Sequence, residues 1–388
     1  MGDRLPAAPW TRRADLQALV AVLGPGQARY VGGAVRDTLL GLAVKDIDLA
    51  TPIEPRKVMK LLHGAGIKPI PTGIDHGTVT ALLPEGPVEI TTLRHDVSTD
   101  GRRATVAFAK DWREDAARRD FTINALYADP ATLEVSDFFG GLDDLAARRI
   151  RFIGDARQRI REDHLRILRY FRFQARFGSQ PADLDAEQAC TELAATLKAL
   201  SRERIGMETM NLLALPDPAP TVARMAELGV LAVILPEADP AALAALVAVE
   251  QRQGISPDPL RRLAALLPAD PALAEQVAAR FRLSGAQKKR LALAARRDDA
   301  APAPARALAY RLGRDQALDR LLLAGADTAS LEHWAIPTFP LKGGDIVARG
   351  IKAGPQVAHI LRAVEDRWVA EGFPAEARVA ELLDEELA

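Results

Sequence analysis

The spacing of apolar and polar positions divides the chain into two territories. Up to about residue 147 the apolar residues come in short runs, several with a period of two, and beyond it they recur at helical spacing. In the first territory, residues 11–23 predict a helix leading into a strand at Tyr30-Val31. Gly32-Gly33 then lets the backbone turn sharply, and a short apolar helix ends near Gly41. Asp46-Ile47-Asp48-Leu49-Ala50 alternates acid with apolar, which as a strand puts Asp46 and Asp48 on one face and Ile47 and Leu49 in the core.

Thr51-Pro52-Ile53-Glu54 has the form of a capping box with proline at the first helical position, so a helix is expected from there to about His63, stopping at Gly64. Lys68–Ile70 and His76–Thr80 predict short strands around Gly73. Val88–Leu93 predicts a β-branched strand with Glu89, Thr91 and Leu93 on one face. Glu89 there is either a third carboxylate beside Asp46 and Asp48 or an edge-strand glutamate. Residues 94–104, RHDVSTDGRRA, show no apolar period and predict a mobile loop. Strands are expected again at Thr105–Phe108 and from Leu133 to Phe139, ahead of Gly140-Gly141.

In the second territory prolines at 216, 218, 220, 236 and 240 punctuate Ala/Leu/Arg-rich helical segments, with no internal repeat. Glu162 to Phe173 predicts one helix on which Asp163, Arg166, Arg169 and Arg172 are successive i,i+3 neighbours. By itself such a file is an exposed ladder of ion pairs.

At 388 residues the chain exceeds one ordinary core, so two or more domains are expected. Hydrophobic residues at 48% and charged residues at 27% exclude a disordered chain. The single Cys190 excludes a disulfide framework or a Cys-rich zinc site and suits a reducing compartment. No segment has the form of a signal peptide. The apolar stretch near 227–249 is broken by Pro236, Glu237, Asp239 and Pro240, so a cytoplasmic protein without membrane partners is expected. A net charge of −1 gives no global nucleic-acid footprint, but ten arginines against three acids lie between Arg148 and Arg176, interleaved with Phe152, Tyr170, Phe171, Phe173 and Phe177. That stripe fits phosphates and stacked bases as well as it fits a solvated helix face.

Two carboxylates about 7 Å apart along a strand can share divalent cations, and hard oxygen ligands suit Mg²⁺. Taken alone, D-x-D is also a common exposed strand face. Arg118-Arg119-Asp120 offers a planar donor fork for phosphate or ribose beside an acceptor for a 2′-hydroxyl, and in isolation is equally a surface ion-pair cluster.

The order Gly-Gly, twelve residues, Asp-Ile-Asp resembles the nucleotidyltransferase superfamily that includes DNA polymerase β. GGAVRDxLLG…KDIDLAT, RRDFTINA and EDxxRxLRxxRF together resemble the class II tRNA nucleotidyltransferases and bacterial poly(A) polymerases. The resemblance implies an α/β head with a mixed sheet over residues 1–147, a helical neck with a base-selecting helix over 148–215, a helical body over 216–325 and a tRNA-binding helical tail over 326–388. Asp46 and Asp48 would be catalytic and hold two Mg²⁺ ions. Gly33 and Arg36 would contact triphosphate, Arg119 and Asp120 the ribose and phosphates, and Asp163 and Arg166 the base, with Arg169 and Arg172 reaching phosphates or bracing that pair.

The chemistry of Asp163 and Arg166 can be checked against the bases. A carboxylate accepts from the exocyclic amine of cytosine or adenine, and a guanidinium donates to the neighbouring ring nitrogen. Guanine and uracil place a carbonyl oxygen where the amine would be. The implied activity is template-independent addition of CCA to tRNA from CTP and ATP. A poly(A) polymerase, or an enzyme adding only A beside a separate CC-adding partner, stands as the alternative. The D-x-x-x-D-G-R segment within 94–104 resembles a loop that CC-only relatives lack. Ser201 to Glu208 resembles the ERIxxE helix that organises the neck, with ion pairs holding the base-selecting helix. The glycines around 343–354 resemble the family's tail, although Gly354-Pro355 is also a plain helix start. Oligomeric state is left open.

Overall fold

The computed structural model describes residues 3–99, 104–297 and 304–388. The chain forms two compact units, Met1–Pro236 and Glu237–Ala388. In the first, a mixed seven-stranded sheet is built from β1 (Arg29–Val31), β2 (Asp48–Thr51), β3 (Lys68–Gly73), β4 (Thr78–Leu83) and β5 (Gly86–Thr92). A separate antiparallel ribbon of β6 (Arg94–Thr99) and β7 (Ala104–Phe108) follows, and β8 (Leu126–Ala128) and β9 (Val135–Asp137) complete the sheet. Its order is β3-β4-β5-β2-β1-β8-β9, with β2 and β5 parallel and the other neighbours antiparallel.

The expected alternation holds: Ile47 and Leu49 are buried while Asp46 is exposed and Asp48 half-buried. The register sets Asp48 opposite Glu89 and Glu89 opposite Thr80. At one edge, β3 carries Pro69 and Pro71 and a register shift between Ile70 and Gly73. At the other, Arg4 bridges Glu134 and the N–H groups of Leu5 and Val135 bond across the same segment.

Helices α1 (Ala14–Leu23), α2 (Gly33–Leu39), α3 (Pro55–Gly64), α4 (Trp112–Ala117) and α5 (Gly141–Ala146) accompany the strands. After them come α6 (Ala156–Glu162), α7 (Arg166–Phe177), α8 (Leu184–Leu193), α9 (Arg202–Leu213), α10 (Ala219–Glu227) and α11 (Val230–Ile234).

Four expectations are corrected. Helix α3 begins at Pro55, not Pro52, because Thr51 still belongs to β2 and its hydroxyl accepts from Ile53 N–H at 3.2 Å, closing a turn first. Residues 94–99, expected as a loop, form a strand that pairs with the strand expected at 105–108; Asp100, Gly101 and Arg102 of D-x-x-x-D-G-R lie outside the described residues. Asp163 is not on one helix with Arg166: α6 ends at Glu162 and Asp163 is extended (φ −149°, ψ 105°). Its Oδ1 accepts from Leu165 N–H at 3.1 Å, the kind of local bond by which Asp competes with helix. Finally, Phe152, Tyr170, Phe171 and Phe177 are buried in the protein, so their faces are not open to bases; Phe152 and Tyr170 lie 5.9 Å apart at 21°, and Tyr170 meets Phe171 edge-on.

The second unit contains α12 (Pro240–Arg252), α13 (Pro259–Leu266), α14 (Pro271–Arg280), α15 (Gly285–Ala294), α16 (Ala305–Leu312), α17 (Arg314–Leu323), α18 (Gly343–Ala348), α19 (Pro355–Ala370) and α20 (Glu376–Leu387). Helices α12, α13 and α14 each open on Asp-Pro: the aspartate side chain accepts from the first turn and proline occupies N1. Gly354-Pro355 starts α19 in the same position. Glu250, Arg261, Arg262 and Asp319 form a buried ion network, reached from α15 by Arg290. No helix among the described residues is long and apolar enough to cross a membrane.

Gly141 shows how tightly the sheet territory is joined. A Cβ there would stand 2.4 Å from Thr122 O, inside the RRDFTINA segment. Gly141→Ala is expected to lower stability by about 1–3 kcal/mol through overpacking. Denaturant unfolding measures this, and an unchanged midpoint would show that the segment yields without strain.

Candidate active site

The cleft that gathers the sequence motifs is built on Gly32. Its φ of +68° and ψ of −121° belong to a region open only to glycine, and it caps α2. A Cβ on Gly32 would lie 3.5 Å from Arg119 Nη1. The open cleft measures about 370 Å³ and is lined by eight of the ten expected site residues: Gly33, Arg36, Asp48, Arg119, Asp120, Asp163, Arg166 and Arg169. Asp46 and Arg172 do not line it. Arg172 instead gives its Nε–H to Glu208 at 2.6 Å, bracing α7 against α9.

Asp48 is the least satisfied of these groups. Its carboxylate takes part in no hydrogen bond or ion pair among the described residues, unlike those of Asp120 and Asp163 in the same cleft. Burial, then the neighbouring Glu89 and more weakly Asp46, push its pKa up to about 6, against the pull of Arg119. A carboxylate in these surroundings would be stabilised by a cation. Among the described residues no three His, Cys, Asp or Glu side chains gather as a metal site, and of the D-x-D pair Asp48 lines the cleft. That fits Mg²⁺, which takes one or two carboxylates and completes its shell with phosphate and water oxygens. Glu89 acts on Asp48 through charge, from the facing register position.

The RRD segment is held by residues that sequence reasoning did not single out. Asp115, buried on α4, accepts from Arg118 Nε at 2.8 Å, Arg119 Nη2 at 3.1 Å and Tyr127 O–H at 2.6 Å. Burial opposes its charge, but Arg119, Arg118 and Tyr127 outweigh it and its pKa falls to about 2. The i,i+3 and i,i+4 spacing of Asp115 to the two arginines was the legible signal. Arg119 Nη1 stays directed at the Gly32 turn.

Asp120 accepts from Asn124 Nδ2 at 2.9 Å and from Arg169 Nε at 2.8 Å. Burial works against its ionisation, yet Arg169 and then Asn124 bring its pKa to about 2. Asn124 also accepts from Arg36 Nη1. Arg36 is 6% exposed, its guanidinium 4.2 Å from the Phe177 ring, and burial lowers its pKa in spite of Asp37.

Asp163 and Arg166 are not paired with each other. Asp163 Oδ2 accepts from Arg204 Nη2 at 2.8 Å. Arg166 donates to Glu162 at 2.7 Å and to the carbonyls of Arg159 and Arg118 at 2.9 and 3.0 Å. Much of the arginine stripe is likewise spent on structure: Arg149 and Arg151 on Asp144, Arg157 on Glu192 and Asp185, Arg176 on Asp37.

The human CCA tRNA nucleotidyltransferase 1, mitochondrial, is 36% identical over 370 residues, covering 90% of this chain and 84% of that protein. The chain belongs to the CCA tRNA nucleotidyltransferase family. It is accordingly an RNA nucleotidyltransferase. Within that family, the CCA-adding enzyme of Leuconostoc mesenteroides is 42% identical over 189 residues, 48% of this chain and 46% of that enzyme. The Bacillus stearothermophilus CCA-adding enzyme, solved in complex with CTP, superposes with a TM-score of 0.72 at 27% identity over 98% of both chains. Residues 28–151 match the poly A polymerase head domain, and 183–242 a probable RNA and SrmB-binding site of polymerase A.

The raised pKa of Asp48 has a sign that melting experiments read. An acid titrating near 6 when folded and near 3.8 when unfolded costs stability once it ionises, so its penalty grows from pH 4 to pH 6 and is full above it. At most this amounts to about 3 kcal/mol. In chelator, Asp48→Asn is expected to melt above wild type at pH 7.5, with the gap closing towards pH 4; added Mg²⁺ should stabilise wild type and not the variant. A variant that melts lower at pH 7.5 would refute this.

Proposed function

We propose that the protein completes the 3′-terminal CCA of tRNA from CTP and ATP, without a nucleic-acid template and with release of pyrophosphate. The observation that carries this reading is one cleft lined at once by Asp48, by Arg119 and Asp120, and by Asp163 and Arg166, in a chain of this family. Asp46 and Asp48 would hold two Mg²⁺ ions, which when bound would lower the pKa of the RNA 3′-hydroxyl and stabilise charge at the α-phosphate. The Gly32-Gly33 turn lets triphosphate approach the backbone, and Arg119 Nη1 donates to it. Arg36, buried beneath with Asn124 and Asp37, supplies positive charge from below. Asp120 and Arg169, bonded to each other, receive the ribose.

Asp163 and Arg166 read the base. With three of its five N–H groups already donated, Arg166 keeps Nε–H and one Nη2–H for a ring nitrogen. Asp163 keeps lone pairs for an exocyclic amine. Uracil and guanine would set a carbonyl against Asp163 and a ring N–H against Arg166, leaving buried polar groups unmatched at about 1–3 kcal/mol each. The name of the matched head domain keeps poly(A) synthesis as a second reading. We place the protein in the cytoplasm; the mouse and human relatives are named as mitochondrial.

The test supplies purified protein with tRNA ending at the discriminator base, with tRNA ending in CC, and with an unrelated RNA, each with CTP, ATP or both. Three additions and a stop on the first are expected. A long A tract on any RNA would mean a polymerase, and activity confined to the CC end an A-adding enzyme. Asp46→Ala and Asp48→Ala should abolish incorporation while tRNA binding remains; turnover near wild type in either would remove the metal assignment.

A further inference from the structure

The carboxylate of Asp163 is steered by a residue outside the motif that contains it. Asp163 lies in extended backbone between α6 and α7, so no helical turn fixes its side chain. Its Oδ1 is held by Leu165 N–H at 3.1 Å and its Oδ2 by Arg204 Nη2 at 2.8 Å. Arg204 stands on the first turn of α9, whose Ser201 cap accepts from Arg204's own N–H, and one turn later Glu208 grips Arg172 on α7. The Arg204 guanidinium therefore has a fixed base.

Both members of the Arg204–Asp163 pair are 31% exposed on their side chains. A pair so open adds little to stability, so its direction matters more than its energy. Each carboxylate oxygen has two lone pairs, and after these bonds each keeps one free. Where the free pair on Oδ2 points is decided by Arg204.

We infer that Arg204 is a positioning residue for nucleotide selection: by holding Oδ2 of Asp163 it aims the remaining lone pair at the exocyclic amine of the incoming base. This rests on the proposed reading of the base by Asp163. Without Arg204 the carboxylate is anchored at one oxygen only and turns about its own bonds. A carbonyl-bearing base edge then meets no fixed acceptor. Choice suffers before rate, because Asp46, Asp48 and the RRD segment are untouched by the change.

The experiment compares wild type with Arg204→Met, Arg204→Lys, Asp163→Ala and, as control, Arg202→Met on the same helix, where Arg202 is exposed and makes no ion pair among the described residues. kcat and KM for CTP and UTP are measured separately on tRNA ending at the discriminator base, beside melting temperature. Arg204→Met is expected to lower the CTP-over-UTP preference about tenfold or more, while melting near wild type. Arg204→Lys, which keeps the charge but loses the planar fork, should recover part of it, and Arg202→Met should leave it unchanged. A wild-type preference in Arg204→Met where Asp163→Ala has lost it would overturn the inference alone. Equal slowing with both nucleotides, or its loss in Arg202→Met as well, would reduce Arg204 to neck structure. A wild-type preference in Asp163→Ala would remove the base-reading role and this inference together.

Discussion

The ion pair between Asp120 and Arg169 joins the strand part of the first unit to its helices, and much of the cleft hangs from it. Asp120 belongs to the segment that ends α4 and returns to the sheet, while Arg169 belongs to α7. One oxygen of Asp120 takes both Nε–H and Nη2–H of Arg169; the other takes Asn124 and Phe121 N–H. From Asn124 the network continues to Arg36 and Asp37, and from Arg169 to Glu208 and Arg172. Asp120 is buried and Arg169 only partly so, and removing Arg169 would leave the buried carboxylate without its charged partner. The glycine turn, the RRDFTINA segment and α7 thus share one electrostatic chain.

Much of this was legible in the sequence because it depends on local period and spacing. The D-x-D alternation reports its own faces, since Ile47 and Leu49 must be buried for the strand to form. The Asp-Pro starts of α12 to α14 need only neighbouring atoms. What was not legible depends on partners far along the chain. Arg172 looks free until Glu208 arrives 36 residues later, and Arg176 meets Asp37 across 139. The file of charges from Asp163 to Arg172 has flawless helical spacing, and the helix still breaks, because a bond from Leu165 N–H to Asp163 replaces the helical one. The apolar content of residues 94–99 is too thin to announce a strand, and β6 forms through backbone pairing with β7.

The second unit uses charge in a different way. Its helices are rich in alanine, which leaves close approach but little shape to fix register. The buried network of Glu250, Arg261, Arg262 and Asp319 draws on α12, α13 and α17, with Arg290 entering from α15. Burial raises the pKa of Asp319 even with Arg290 against it, a mark of the desolvation such a network carries. Directional bonds of this kind select one packing of otherwise interchangeable apolar faces.

The two rims of the seven-stranded sheet have a bearing on the chain's behaviour in crowded solution. An open strand edge is a template on which another polypeptide can add itself, and long sheets of this kind invite polymerisation. On the β3 side, two imino residues in six positions and a bulge remove the regular donor row; on the β9 side, the stretch around Arg4 already occupies the rim. The sheet is thereby interrupted at one rim and partly covered by its own chain at the other, which guards it against runaway self-association.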